Sequence, residues 1–145
     1  MIRYSALVLC LALVFSHGAT FAQHSHEAHG ANAAAPGKHG EKWTPDKTLK
    51  KGMEQIKGAI EPLKSASPRA EYAKASKVID KQISTIFQNC KLDPKADAAL
   101  HVPLSKIITA SKDLKNSSAD TRYRAAQSIS HALSEYAELF DHPGF

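Results

Sequence analysis

Residues 67–90 read SPRAEYAKASKVIDKQISTIFQNC, and the spacing of their apolar positions decides the fold. Tyr72, Ala75, Ile79, Ile83, Ile86 and Cys90 recur at steps of three and four, which is the period of one helix face and not of a strand. Ser67-Pro68 supplies a start signal, because a proline in the first turn loses no helical hydrogen bond. The stripe carries Cys90 on its apolar side, so the thiol is expected to point inward.

Upstream, Thr44-Pro45-Asp46 is a start of the same kind, with Thr44 as the cap and an acid complementing the helix dipole. Leu49, Met53, Ile56, Ile60 and Leu63 follow as its stripe, and Pro62 should end or disturb that helix. Downstream, Asp93-Pro94 opens a third segment only three residues after Cys90, so helices two and three are expected to be antiparallel neighbours. Its stripe is read as Asp97, Leu100, Leu104, Ile107, Ser111 and Leu114, with His101 and Ile108 at the edge. Pro103 inside it should introduce a kink or cut off a first separate turn. After a loop and cap at 116–120, Tyr123, Ala126, Ile129, Leu133, Tyr136, Ala137 and Phe140 form the last stripe, and Pro143-Gly144 stops it.

Four amphipathic helices with short links and no strand-period segment give an all-α fold, an antiparallel up-down-up-down four-helix bundle over 44–142. Residues 23–43 precede it as a flexible, disordered histidine-rich tail, rich in Ala and Gly and without apolar periodicity. Residues 1–22 read as a cleaved secretory signal: Arg3, an apolar run from Ala6 to Phe15, then Thr20-Phe21-Ala22. The run falls well short of the ~20 residues a membrane span requires, and Cys10 lies too early and follows Leu9, so no lipid anchor is expected. The periplasm is the expected compartment, with no membrane anchor after cleavage.

The chain has 145 residues, 19 Lys and Arg against 14 Asp and Glu, and 43% hydrophobic residues, which suits one domain and excludes wholesale disorder. Its cations are scattered singly, without aromatic-interleaved basic runs, so nucleic acid is not an expected partner. Signal removal takes Arg3 and Cys10 with it, lowering the formal charge from +5 to +4 and leaving Cys90 without an internal disulfide partner.

Histidine carries the chemistry. His24, His26, His29 and His39 lie in the tail, two of them as His-x-His, and imidazole is a common ligand for copper, zinc and nickel; the plainer reading is a solubilising linker. In an up-down-up-down arrangement one pole gathers Met53, Cys90, Asp97, His101 and His142, and thiolate, thioether and imidazole together suit copper(I). Asp97, one turn before His101, is placed to fix the imidazole or to bind metal itself. Against this stand an inert core thiol at Cys90, methionine as core filler at Met53, a cap-like acid at Asp97 and a hydrogen-bonded half-buried His101. A compact site also has to overcome a helical rise that sets His101 roughly 10 Å from the level of Cys90. No paired-carboxylate, nucleophile or phosphate-loop motif suggests an enzyme. The expected function is copper binding, handling or tolerance with a metal ion as partner; a periplasmic stress adaptor or chaperone without cofactor is the alternative from another class. No pattern specifies a protein partner or a homodimer.

Met53-Glu54-Gln55-Ile56, close after a helix start, resembles the opening of the four-helix periplasmic b-type cytochromes. That resemblance implies a haem b electron carrier, with Met53 as one axial ligand and His142, near the end of helix four, as the other. Pro143 directly after His142 departs from the pattern, and the Cys-x-x-Cys-His attachment of the related c-type bundles is absent.

Overall fold

The computed structural model describes residues 40–145. The signal-like segment 1–22, Cys10 and the tail histidines His24, His26, His29 and His39 lie outside the described residues. Within them the chain is all-helical: α1 Lys47–Ile60, α2 Arg69–Asn89, α3 Pro94–Asp113 and α4 Ala119–Leu139. An isolated parallel β-bridge joins Trp43 and Phe140.

The helix starts refine the expected caps. Asp46, not Thr44, caps α1, its Oδ1 accepting the Leu49 N–H at 2.7 Å. Asp93 and Ser118 cap α3 and α4 through the N–H groups of Lys95 and Thr121. Ser67 does not cap α2. Its Oγ instead accepts the Lys64 N–H at 3.0 Å and closes the turn that follows Pro62. As expected, α1 stops just before Pro62.

The largest departure lies in α3. The helix runs unbroken through Pro103, whose ring is buried in the inward face together with Ala96, Ala99, Leu100, Leu104, Ile107, Ala110 and Ser111. Asp97 does not belong to that stripe; Ala96 occupies the inward position beside it. Small residues explain the shift. Ala96, Ala99 and Ala110 on α3 and Ala125, Ala126 and Ala132 on α4 are buried, and small side chains let helix axes approach closely, so this seam needs few large apolar residues.

Contacts are most extensive between α3 and α4 and between α1 and α2, with smaller ones between α2 and α3 and between α1 and α4. One continuous core runs through all four helices, from Leu49, Met53 and Ile56 to Ile79, Ile86, Ile107, Ile129 and Tyr136. Trp43 and Phe145 also pack against it, so the packed body extends slightly beyond 44–142. At the opposite end from Cys90, the buried Arg122 donates to the carbonyls of Asn116 and Ser117 at 2.9 and 2.7 Å and lies 5.5 Å from the Tyr72 ring, placing a cation at the carbonyl-rich end of α3.

Gly52 sets how closely α1 and α2 approach. A Cβ there would stand 2.8 Å from Ile86 Cδ1 and 2.9 Å from Ile86 Cγ1. Ile86 is itself buried, so its side chain has little room to yield. Gly52→Val is therefore expected to lower stability by about 2 kcal/mol through overpacking. A urea titration reads this as a lower midpoint at unchanged slope; an unaltered midpoint would mean that the helices separate without cost.

Candidate functional site

Asp46 organises the end of the molecule where α1 starts and α2 stops. Its Oδ1, besides capping α1, lies 3.7 Å from Cys90 Sγ, and its Oδ2 accepts the Lys91 N–H at 2.7 Å. One carboxylate thus joins the first turn of α1 to the chain leaving α2. The extended backbone of Cys90 ends α2, its own N–H still bonded to the Ile86 carbonyl.

Cys90 is free and half-buried at the core margin. Its pKa is pushed up to about 12, first by burial, then by the Asp46 charge and hydrogen bond, and then by Asp97. Each of these disfavours the thiolate. The sign for stability follows: the fold holds the thiol proton more tightly than the unfolded chain does. The resulting stabilisation is complete below the ordinary value of 9.0 and is lost as pH rises from there towards about 12.

The other two candidates, Asp97 and His101, lie on α3. One turn further on, His101 Nε2 stands 3.5 Å from Asp97 Oδ2, and both side chains are open to solvent, at 65% and 55% exposure. Cys90, Asp97 and His101 follow one another along the chain as a candidate row, the thiol at the core margin and the other two side chains exposed, with Asp46 in contact with the thiol. Met53 is not part of the exposed row: at 0% exposure it is core. Among the described residues, no group of three or more His, Cys, Asp and Glu side chains converges on one ion-sized point.

His142 belongs to a second cluster, formed by the segment after α4 folding over α1. Trp43 donates its N–H to the Leu139 carbonyl and accepts the Asp141 N–H, both at 2.8 Å, which fixes the direction of residues 140–145. The buried His142 then has Nδ1 3.0 Å from the Tyr136 hydroxyl and Nε2 3.2 Å from Glu54 Oε1. Glu54 accepts, so the neutral imidazole that satisfies both contacts donates from Nε2 and accepts the Tyr136 O–H at Nδ1. The phenol's pKa is raised by burial first, then by Cys90, Glu54 and Asp46. Phe145 stacks on the imidazole at 4.6 Å and lies 4.9 Å from the Lys57 ammonium, which also donates to the Gly144 carbonyl. Sequence periodicity could not identify this cluster, because His142 lies beyond the last helix and its partner Glu54 is on the first.

His142 and Met53, the axial pair of the haem reading, are held in other contacts. Both His142 nitrogens are engaged within the protein, the ring is covered by Phe145, and Met53 is packed among core side chains. As packed, these residues do not fit an axial Met–His pair around a haem.

No helix among the described residues is long and apolar enough to cross a membrane. Comparison with protein-family models, with curated proteins and with solved structures gives no match, so what the chain does is argued from its own residues.

Proposed function

We propose that this is an exported metal-binding helical protein that handles copper, with the histidine tail as a loose capture segment and the Cys90–Asp97–His101 row as the tighter site. An antiparallel up-down-up-down bundle is the architecture that supports it. Contacts from Asp46 to Cys90 and Lys91, from Trp43 to Leu139 and from Arg69 to Lys115 are those expected when successive helices alternate in direction.

The observation carrying the proposal is the Asp46 carboxylate 3.7 Å from the Cys90 thiol, with the charge of Asp97 adding more weakly to its field. Asp46 and Asp97 oppose a bare thiolate, and for the same electrostatic reason they favour a cation that replaces its proton. Copper(I) prefers a thiolate, and an imidazole is the usual partner ligand. His101 is exposed with its Nε2 3.5 Å from Asp97 Oδ2, so the carboxylate would orient the ring as an outer partner while the other ring nitrogen binds the ion. Because the thiol must lose a proton, metal binding should release one and tighten by about tenfold per pH unit below the thiol pKa.

Competition against a copper(I) chelator tests this. Cys90→Ser is expected to weaken copper(I) binding by roughly 100-fold, and His101→Ala by about 10-fold or more. Circular dichroism should show both variants as helical as the parent. Parental affinity in both would remove the site. Deleting residues 23–39 should abolish the weaker copper(II) and zinc uptake while leaving the copper(I) site; unchanged stoichiometry would reduce the tail to a linker.

A further inference from the structure

On a different face, α1 and α2 enclose a groove lined by Lys47, Thr48, Lys51, Gln55, Lys81 and Gln82, with Gly52 and Thr85 completing it. Its position follows from Gly52. Where that residue lacks a side chain the helices close on Ile86, and the polar positions flanking it are left around a trough of about 380 Å³. Lys47 and Lys51 are one turn apart on α1, and Lys81 faces them from α2. No acidic residue lines the groove. The lysine–carboxylate pairs among the described residues involve Lys57, Lys106 and Lys115, so the three lysines that line this groove have no carboxylate partner among the described residues.

Gln82 makes the groove more than a solvated lysine face. It is 8% exposed, yet its carboxamide has no hydrogen-bond partner among the described residues. Buried polar side chains ordinarily find a partner within the protein. Among the described residues the side-chain atoms both sealed from solvent and without a partner are Trp43 Nε1 and Arg122 Nε, so the Gln82 amide, lining the groove, is reached from the groove side. Three unpaired cations around a recessed amide donor and the Thr48 hydroxyl form the complement of a compact oxyanion. The volume lies near the lower end of small-ligand pockets, which suits a phosphate carrying a few carbon atoms and not a dinucleotide.

We propose that the α1–α2 groove binds a phosphomonoester of glycerol phosphate size, its phosphoryl oxygens held by Lys47, Lys51 and Lys81 and one of them accepting an N–H from Gln82. The chemistry is shared by soluble glycerol phosphate and by the headgroup of phosphatidic acid. The proposal is independent of the copper site, since no residue is common to the two.

Titration of the intact, isotope-labelled chain with glycerol phosphate, followed by amide chemical shifts, tests it. Saturable shifts are expected at Lys47, Thr48, Lys51, Gln82 and Thr85, with a dissociation constant of roughly 1 mM or below, against no saturation with neutral glycerol or with acetate. Lys51→Gln combined with Lys81→Gln should weaken binding by about 10-fold or more, and raised ionic strength should weaken it in the parent. Gln82→Leu should weaken binding several-fold while leaving thermal stability equal or higher, because it removes an unpartnered amide. A purely structural glutamine would give the opposite pattern. Vesicles of phosphatidylcholine with and without phosphatidic acid separate the sources: lysine-dependent sedimentation only with phosphatidic acid assigns a lipid headgroup, and saturation by glycerol phosphate without sedimentation assigns a soluble ligand. Non-saturable shifts spread over all lysine-bearing faces, or parental affinity in both variants, would overturn the site.

Discussion

Phe140→Ala is expected to destabilise the protein by about 3–5 kcal/mol, the cost of removing a large aromatic side chain from a core that cannot fully collapse around the cavity. In a body of this size that corresponds to a melting temperature lower by roughly 15 °C or more. Phe140 is 1% exposed and stacks on Tyr136 at 4.9 Å. It is also the residue at which the chain leaves α4 and pairs with Trp43, so its loss loosens the direction of residues 140–145. Two signals should therefore move together: thermal denaturation, and the accessibility of His142 to acylating reagents. Phe87→Ala serves as the control. That ring is 62% exposed on α2, and its removal is expected to change stability by less than about 0.5 kcal/mol. If Phe140→Ala were as mild as Phe87→Ala, the segment after α4 would not be part of the cooperative core.

The helices were legible because large apolar residues mark their inward faces. Leu49, Met53, Ile56 and Ile60 on α1 and Tyr72, Ile79 and Ile86 on α2 are all buried, as a three-and-four spacing requires. The register of α3 was misread at Asp97 because the inward position belongs to Ala96, and alanine carries too little hydrophobic weight to declare a face. Pro103 does not cut off a first turn of the same element; its ring instead fills space on the inward face. Gly52 reads as a weak helix residue and is instead the close-approach point that shapes the α1–α2 groove.

The site was legible in part for a related reason. Residue type and helix order point to Cys90, Asp97 and His101 as candidates, and the structure sets Asp97 Oδ2 and His101 Nε2 3.5 Å apart at the surface. Asp46, which bridges both sides of this neighbourhood, registered in the sequence only as a charge near a helix start. Its second oxygen reaches Lys91, 45 residues away, and no local pattern encodes that contact.

Asp46→Asn is the substitution that separates those roles. Asparagine caps a helix about as well as aspartate, so α1 should keep its start, and the loss of stability should stay near or below about 1 kcal/mol. The thiol should change much more. With the carboxylate charge gone, Asp97 and burial remain, so the Cys90 pKa falls from about 12 but stays above its ordinary 9.0. In the range where the thiol is mostly protonated, each unit of that fall raises the thiolate fraction, and with it the rate of alkylation by iodoacetamide, by roughly tenfold, before a partial offset from lower nucleophilicity. Asp97→Asn should act in the same direction and more weakly, being the smallest of the resolved influences on the thiol. The pH–rate profile of the folded protein is the measurement, with the denatured chain as its reference. A profile unmoved by Asp46→Asn would mean that burial alone holds the proton. The carboxylate field at Cys90 would then be too weak to act, and the proposed copper site would lose its electrostatic basis.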